Sequence, residues 1–254
     1  VGGMIGHTPF YPLTCKAEDV MAADFKNKMH NYFVYDTMCN GEFPAYFMQY
    51  AKNRNIELNI SQGEKDIIKG ASKKIDYLAF SYYRSNVISS FEDIKDQNEL
   101  EDALIFDQRA LKNPYYKANE WGWQIDAEGL RYSLIDFYHR YHKPLFIVEN
   151  GIGIDETLKD GKVYDDERIS YYQKHIQAIK TAVEHDGVDL MGYLAWSPID
   201  FLSSHKEIRK RYGFVYVDRD FEDLKELKRY PKKSFYWYKK VIQSQGNDLE
   251  DDID

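Results

Sequence analysis

The sequence predicts an α/β fold of parallel strands joined by helical crossovers, and three observations predict it. Four short apolar segments stand out: VGGMIGHT (1–8), DYLAFSYY (76–83), PLFIVENG (144–151) and LMGYLAWSPI (190–199). Each reads as a strand that turns abruptly polar or turn-like at its C-terminal end. Helix-like stretches over 17–33 and 61–73 separate the first pair; 129–142 precedes the third strand, 167–187 separates the last pair, and 234–245 follows the fourth. No GxGxxG follows any strand, which disfavours a dinucleotide fold.

The strands are apolar nearly throughout, as expected of strands buried on both faces. The helices are amphipathic instead. In 167–187, Ile169, Tyr172, Ile176, Ile179 and Val183 recur at three- and four-residue spacing, and Asp186-Gly187 supplies a stop. Strand-to-strand spacing is too long for hairpins and suits crossovers. A (β/α) barrel and a doubly wound sheet both fit. A complete eight-stranded barrel needs roughly 250 residues. The length of 254 suits one, but four candidate strands do not. Half a barrel with large loops, or four unrecognised strands, would reconcile the two.

Bulk composition excludes several classes. With 43% hydrophobic residues the chain can bury a core and is not disordered. No apolar run is long enough to span a membrane, and VGGMIGHTPF lacks the pattern of a signal peptide. A net charge of −8 is the opposite of what a nucleic-acid binder shows. Cys15 and Cys39 are two ordinary thiols without metal-type spacing. No linker divides the chain. The expectation is one unit over 1–245 and a frayed acidic tail over 246–254.

In barrels the site lies at the C-terminal ends of the strands. Those ends hold Ser81, Tyr82 and Tyr83, then Glu149 and Asn150, then Trp196, Ser197 and Asp200. A carboxylate, aromatic faces and hydroxyls suit carbohydrate chemistry, where one carboxylate attacks the anomeric carbon and another protonates the leaving oxygen. Plainer readings stand beside this one. Asn150-Gly151 is a turn signal and Glu149 a candidate solvated strand end, although the residues beyond do not alternate like a returning hairpin. Trp196 also reads as core filling. The basic run KEIRKRY (206–212) also reads as a solvated loop.

An ordered series of motifs bears on these choices. They are HTPFYPLTCKAEDVMAA (7–23), NGEFPAYF (40–47), DYLAFSYYRS (76–85), EWGWQIDAEGLRYSL (120–134), RYHKPLFIVENGIG (140–153), DGVDLMGYLAWSPIDFLSS (186–204), KRYGFVYVDRD (210–220) and YPKKSFYWYKKVI (230–242). In this order they resemble the C-terminal half of glycoside hydrolase family 1, in its 6-phospho-β-glucosidase and 6-phospho-β-galactosidase branch. The resemblance implies strands five to eight of a (β/α)8 TIM barrel. It makes Glu149 the nucleophile and Tyr82 the tyrosine whose hydroxyl orients it. Trp196 becomes the sugar platform, preceding a cis peptide bond to Ser197. Trp121 falls on the aglycone side, and Ser81 stands where many relatives outside this branch have Asn. Ser203, Lys210 and Tyr212 match the phosphate-binding trio, with Ser203 where the non-phospho branch has a Glu. A hydroxyl, an ammonium and a phenol all donate to phosphate oxygens, and the lysine adds charge. The small Ser204 favours a glucoside over a galactoside.

The family's acid/base Glu sits in a TxNEP-type motif, and no such motif occurs here. Glu42, Glu120 and Asp200 are the nearest carboxylates by motif, and none matches that position. The resemblance therefore implies retaining hydrolysis of 6-phospho-β-D-glucosides by a parent enzyme, without metal or cofactor, in a bacterial cytoplasm. By this expectation the chain alone is inactive. A galactoside-specific enzyme and a non-catalytic half-barrel that binds phosphosugars are the alternatives. Open sheet edges would invite self-association.

Overall fold

The structure, a computed structural model, describes residues 1–109, 111–204 and 206–253. In chain order its elements are β1 (Gly2–His7), β2 (Phe10–Pro12), α1 (Ala17–Asn27), α2 (Phe33–Asn40), α3 (Ala45–Asn53), α4 (Gln62–Ser72), β3 (Tyr77–Tyr82) and β4 (Asn86–Ile88). Then come α5 (Gln97–Phe106), α6 (Ala127–Tyr141), β5 (Leu145–Asn150), α7 (Asp166–Glu184), β6 (Leu190–Ala195), β7 (Val215–Val217), β8 (Arg229–Pro231) and α8 (Lys233–Gln243).

The four expected strands are β1, β3, β5 and β6. They form one parallel sheet in that order. Consecutive neighbours in this sheet are separated by helices, which is half of a (β/α)8 barrel. Register aligns their C-terminal ends: Gly6 faces Ser81, Ser81 faces Glu149, and Asn150 faces Ala195. Functional side chains are thereby gathered along one rim.

The helices cover one face of the sheet. Leu78, Phe80, Leu145 and Ile147 pack there with Tyr35 of α2 and Leu130, Leu134 and Phe137 of α6, all fully buried. A second cluster joins Ile169, Tyr172 and Ile176 of α7 to Trp237 and Val241 of α8. Four members of the predicted α7 stripe are buried as expected; Val183 is 42% exposed. Caps set the boundaries. Ser61 and Glu64 close a capping box on α4, and Asp126 accepts the Gly129 amide to start α6.

Several expectations change. The helix expected over 17–33 is α1, a π-helical segment Lys28–Tyr32, and α2, running on to Asn40. Asn27 and Asn31 flank its first junction and bond the backbone of Phe10 and Thr8, tying the helix to the end of β1. The tail expected to fray over 246–254 is docked over its described residues, with Asp254 outside them. Leu249 and Ile253 pack on the second cluster, and Lys233 and Lys240 pair with Asp251, Asp248 and Asp252. The acidic composition masked two apolar anchors. No helix among the described residues is long and apolar enough to cross a membrane.

Candidate active site

Glu149 is paired with Ser81 after a register shift between β3 and β5 at Phe80/Ser81, and Tyr83 directly follows β3. The Tyr83 hydroxyl donates to Glu149 Oε2 at 2.7 Å. Burial first, and this bond second, hold the phenol protonated, so it remains a donor to the carboxylate.

The expected orienting residue, Tyr82, is therefore corrected to Tyr83. Tyr82 points to the opposite face, is fully buried among the helices, and donates to the Asp126 carbonyl at 2.7 Å. Its neighbour across the sheet, Asn150, is structural too. Its amide donates to the Tyr82 carbonyl at 2.7 Å, and Tyr193 donates to its Oδ1 at 2.8 Å, clamping three strands together. The Asn150-Gly151 step is no hairpin turn. A Cβ at residue 151 would collide with the Trp196 carbonyl, so the glycine reflects close approach of two chains.

Trp196 follows β6 and is half-buried, its ring edge-on to Phe201 at 5.5 Å. Its peptide bond to Ser197 is cis. Ser81 is buried on the rim beside Glu149.

Beyond β6 the chain returns to the same rim. Lys210 lies with its ammonium 3.3 Å from the centroid of Trp123, 5.5 Å from Trp121 and 5.8 Å from Tyr212. Tyr83 links the two regions, 5.8 Å from Trp123 and 6.1 Å from Tyr212 between ring centroids. Nucleophile candidate and lysine thus share one aromatic-walled site. Trp123 is the residue sequence reasoning passed over. It lies two positions beyond Trp121, and the left-handed Gly122 between them redirects the chain. Ser203 is held in its own turn, accepting the Glu207 amide at 3.1 Å. No hydrogen bond joins it to Lys210 or Tyr212 among the described residues.

Lys210 is buried without a hydrogen bond or ion pair among the described residues. Burial first, and the Arg84 guanidinium second, push its pKa from 10.5 down to about 8, with Glu120 opposing weakly. The other buried cations of this region are matched. Arg168 pairs with Asp165 and Glu156, Lys232 with Glu156 and Asp200, and Arg211 with Asp200. Three positive and three negative groups form one buried network. Arg168 also donates to the carbonyls of Arg211 and Tyr212, and Asp200 accepts the Gly213 amide. The network grips the backbone that carries Lys210 and Tyr212. It also removes Asp200 as a candidate acid, while Glu42 and Glu120 are exposed.

Comparison with known proteins bears on the family and the fold. The profile of glycosyl hydrolase family 1 matches residues 1–247. Over 251 residues the chain is 44% identical to the aryl-phospho-beta-D-glucosidase BglA of Bacillus subtilis (strain 168), covering 98% of this chain and 51% of that protein. It is 43% identical to the 6-phospho-beta-glucosidase AscB of Escherichia coli (strain K12), again covering 98% and 51%. Among solved structures, a family 1 β-glucosidase from Thermotoga maritima superposes with a TM-score of 0.80 at 26% identity, covering 97% of this chain and 51% of that one. The chain spans about half the length of the curated relatives it matches. With the half-barrel, its rim and these matches in agreement, the chain belongs to glycosyl hydrolase family 1.

Proposed function

We propose that this chain is the nucleophile-bearing half of a retaining enzyme that hydrolyses 6-phospho-β-glucosides to glucose 6-phosphate. The observation that carries the reading is Lys210, a buried ammonium without a protein anion, in the same aromatic-walled site as Glu149. An unneutralised buried cation is costly unless a ligand supplies its counterion. Glu149 attacks C1 as the aglycone oxygen leaves with a proton from a second carboxylic acid, and water then releases the sugar from Glu149. No motif of this chain supplies that acid, so we expect no turnover from the chain alone. The names of the relatives support the phosphoglucoside. The exposed, small Ser204 supports an equatorial O4 beside it. Such substrates arise inside bacteria during uptake, so we assign the enzyme to the cytoplasm.

Titration calorimetry tests the ligand. Glucose 6-phosphate should bind this chain, glucose should not, and Lys210→Ala should abolish the heat. Equal heats for the two sugars would refute the reading. The pH dependence follows from the lowered pKa. Free Lys210 loses its proton as pH rises through about 8, whereas a bound dianion retains it. Affinity should hold between about pH 7 and 8, where the phosphate is already a dianion, and fall above pH 8, with proton uptake visible as heats that vary with buffer.

The outer edges of β1 and β6 expose Met4, Met191 and Leu194 at 49–59%. We propose that these edges pair with another half-barrel. Sedimentation should then show association, and a monodisperse monomer would argue against it.

A further inference from the structure

A second cation in the site is as unmatched as Lys210. Arg84 follows Tyr83 directly, and its guanidinium lies 4.9 Å from the centroid of Trp123, the ring that Lys210 also covers. No hydrogen bond or ion pair to Arg84 exists among the described residues, so its N–H donors are unspent. Arg84 opens on a cavity of about 860 Å³ that also touches Thr8, Lys26, His30 and Gln124. Of the other cations on that wall, Lys26 and Arg109 are engaged, whereas Lys112 makes no hydrogen bond or ion pair among the described residues. Lys26 donates to the carbonyls of Leu104 and Ile105, and Arg109 pairs with Asp107.

Arg84 and Lys210 repel each other closely enough to depress Lys210, and Arg84 also acts on the phenol of Tyr212. Two like charges gathered over one indole, neither neutralised by protein, ask for a doubly charged anion. A phosphate monoester carries about −1.5 to −2 at pH 7 and offers three acceptor oxygens. A planar guanidinium engages such a group through two parallel bonds, which a lysine cannot do.

We infer that Arg84 is a specificity-determining residue of the phosphosugar site, sharing the 6-phosphate dianion with Lys210. This rests on the phosphosugar reading above. It adds a fourth residue to Ser203, Lys210 and Tyr212, from a different strand end.

The test titrates this chain, Arg84→Met, Arg84→Lys and Lys210→Ala with glucose 6-phosphate between pH 5 and 7.5. Arg84→Met should weaken binding about 10- to 100-fold, the range for a lost charge-assisted bond. Arg84→Lys should recover part of that loss. Wild-type affinity should rise as the phosphate loses its second proton near pH 6. With one cation left, Arg84→Met should flatten that rise, which a merely structural role would not do. If Arg84→Met lowers the melting temperature, Arg84→Gln replaces it, with the same loss expected. Wild-type affinity in Arg84→Met, with binding lost in Lys210→Ala, would overturn the inference and leave the phosphosugar reading intact. No preference for glucose 6-phosphate over glucose in the wild-type chain would overturn both.

Discussion

Glu149→Gln, in the complete 6-phospho-β-glucosidase proposed above, should lower hydrolysis of an aryl 6-phospho-β-glucoside by about four orders of magnitude or more. The substitution is nearly isosteric, and the amide oxygen can still accept the Tyr83 hydroxyl, so the rim keeps its geometry. An uncharged amide is a poor nucleophile, and no covalent intermediate forms to be released by water. Lys210 and Tyr212 lie on a separate loop, so binding of glucose 6-phosphate should stay within a few-fold of wild type. Initial rates and calorimetry on the same preparation check both halves of the statement. A variant keeping more than about 1% of wild-type rate would remove Glu149 from the nucleophile's role.

The second large effect is on stability. Lys232→Met should destabilise this chain by about 3–5 kcal/mol, because it breaks a buried ion network by removing one partner. Lys232 is fully buried and holds both Glu156 and Asp200. Without it, three buried carboxylates face only Arg168 and Arg211. Neighbouring Lys233 is the control. Its partners Asp166 and Asp251 are partly exposed, and Lys233→Met should cost under about 1 kcal/mol. Urea unfolding of the two variants gives the comparison. Lys232→Met should also weaken glucose 6-phosphate binding, since Asp200 fixes Gly213 and Arg211 beside the binding loop. A loss below 1 kcal/mol would show that the network relaxes or admits water.

Much of the scaffold was legible in the chain. Buried parallel strands write themselves as apolar runs, and all four were found with ends within a few residues of the observed ones. The short strands β2, β4, β7 and β8, three residues each, are too brief to show alternation and were missed. Helices α3 and α5 were missed as well. Tyr83 in place of Tyr82 was not legible, because the register of β3 on β5 shifts at Phe80/Ser81 and strict alternation from the buried Ile147 turns Glu149 toward the helices. The ion network was not legible. Lys232 and Glu156 are 76 residues apart, and nothing local marks them as partners. Arg84 passed unnoticed because a lone basic residue after a strand looks solvated until its lack of partners is seen.

The network has a further consequence for how this site can change over time. Its six charged groups come from the segments after β5 and β6, the start of α7, and the residue before α8. They hold main chain, not substrate. The side chains at 210 and 212 project beside main chain that the network holds at Arg211, Tyr212 and Gly213. Under the proposed function, preference for one sugar substituent or another would be exchanged at those few positions, like fittings on a fixed mount, while the fold beneath stays as it is.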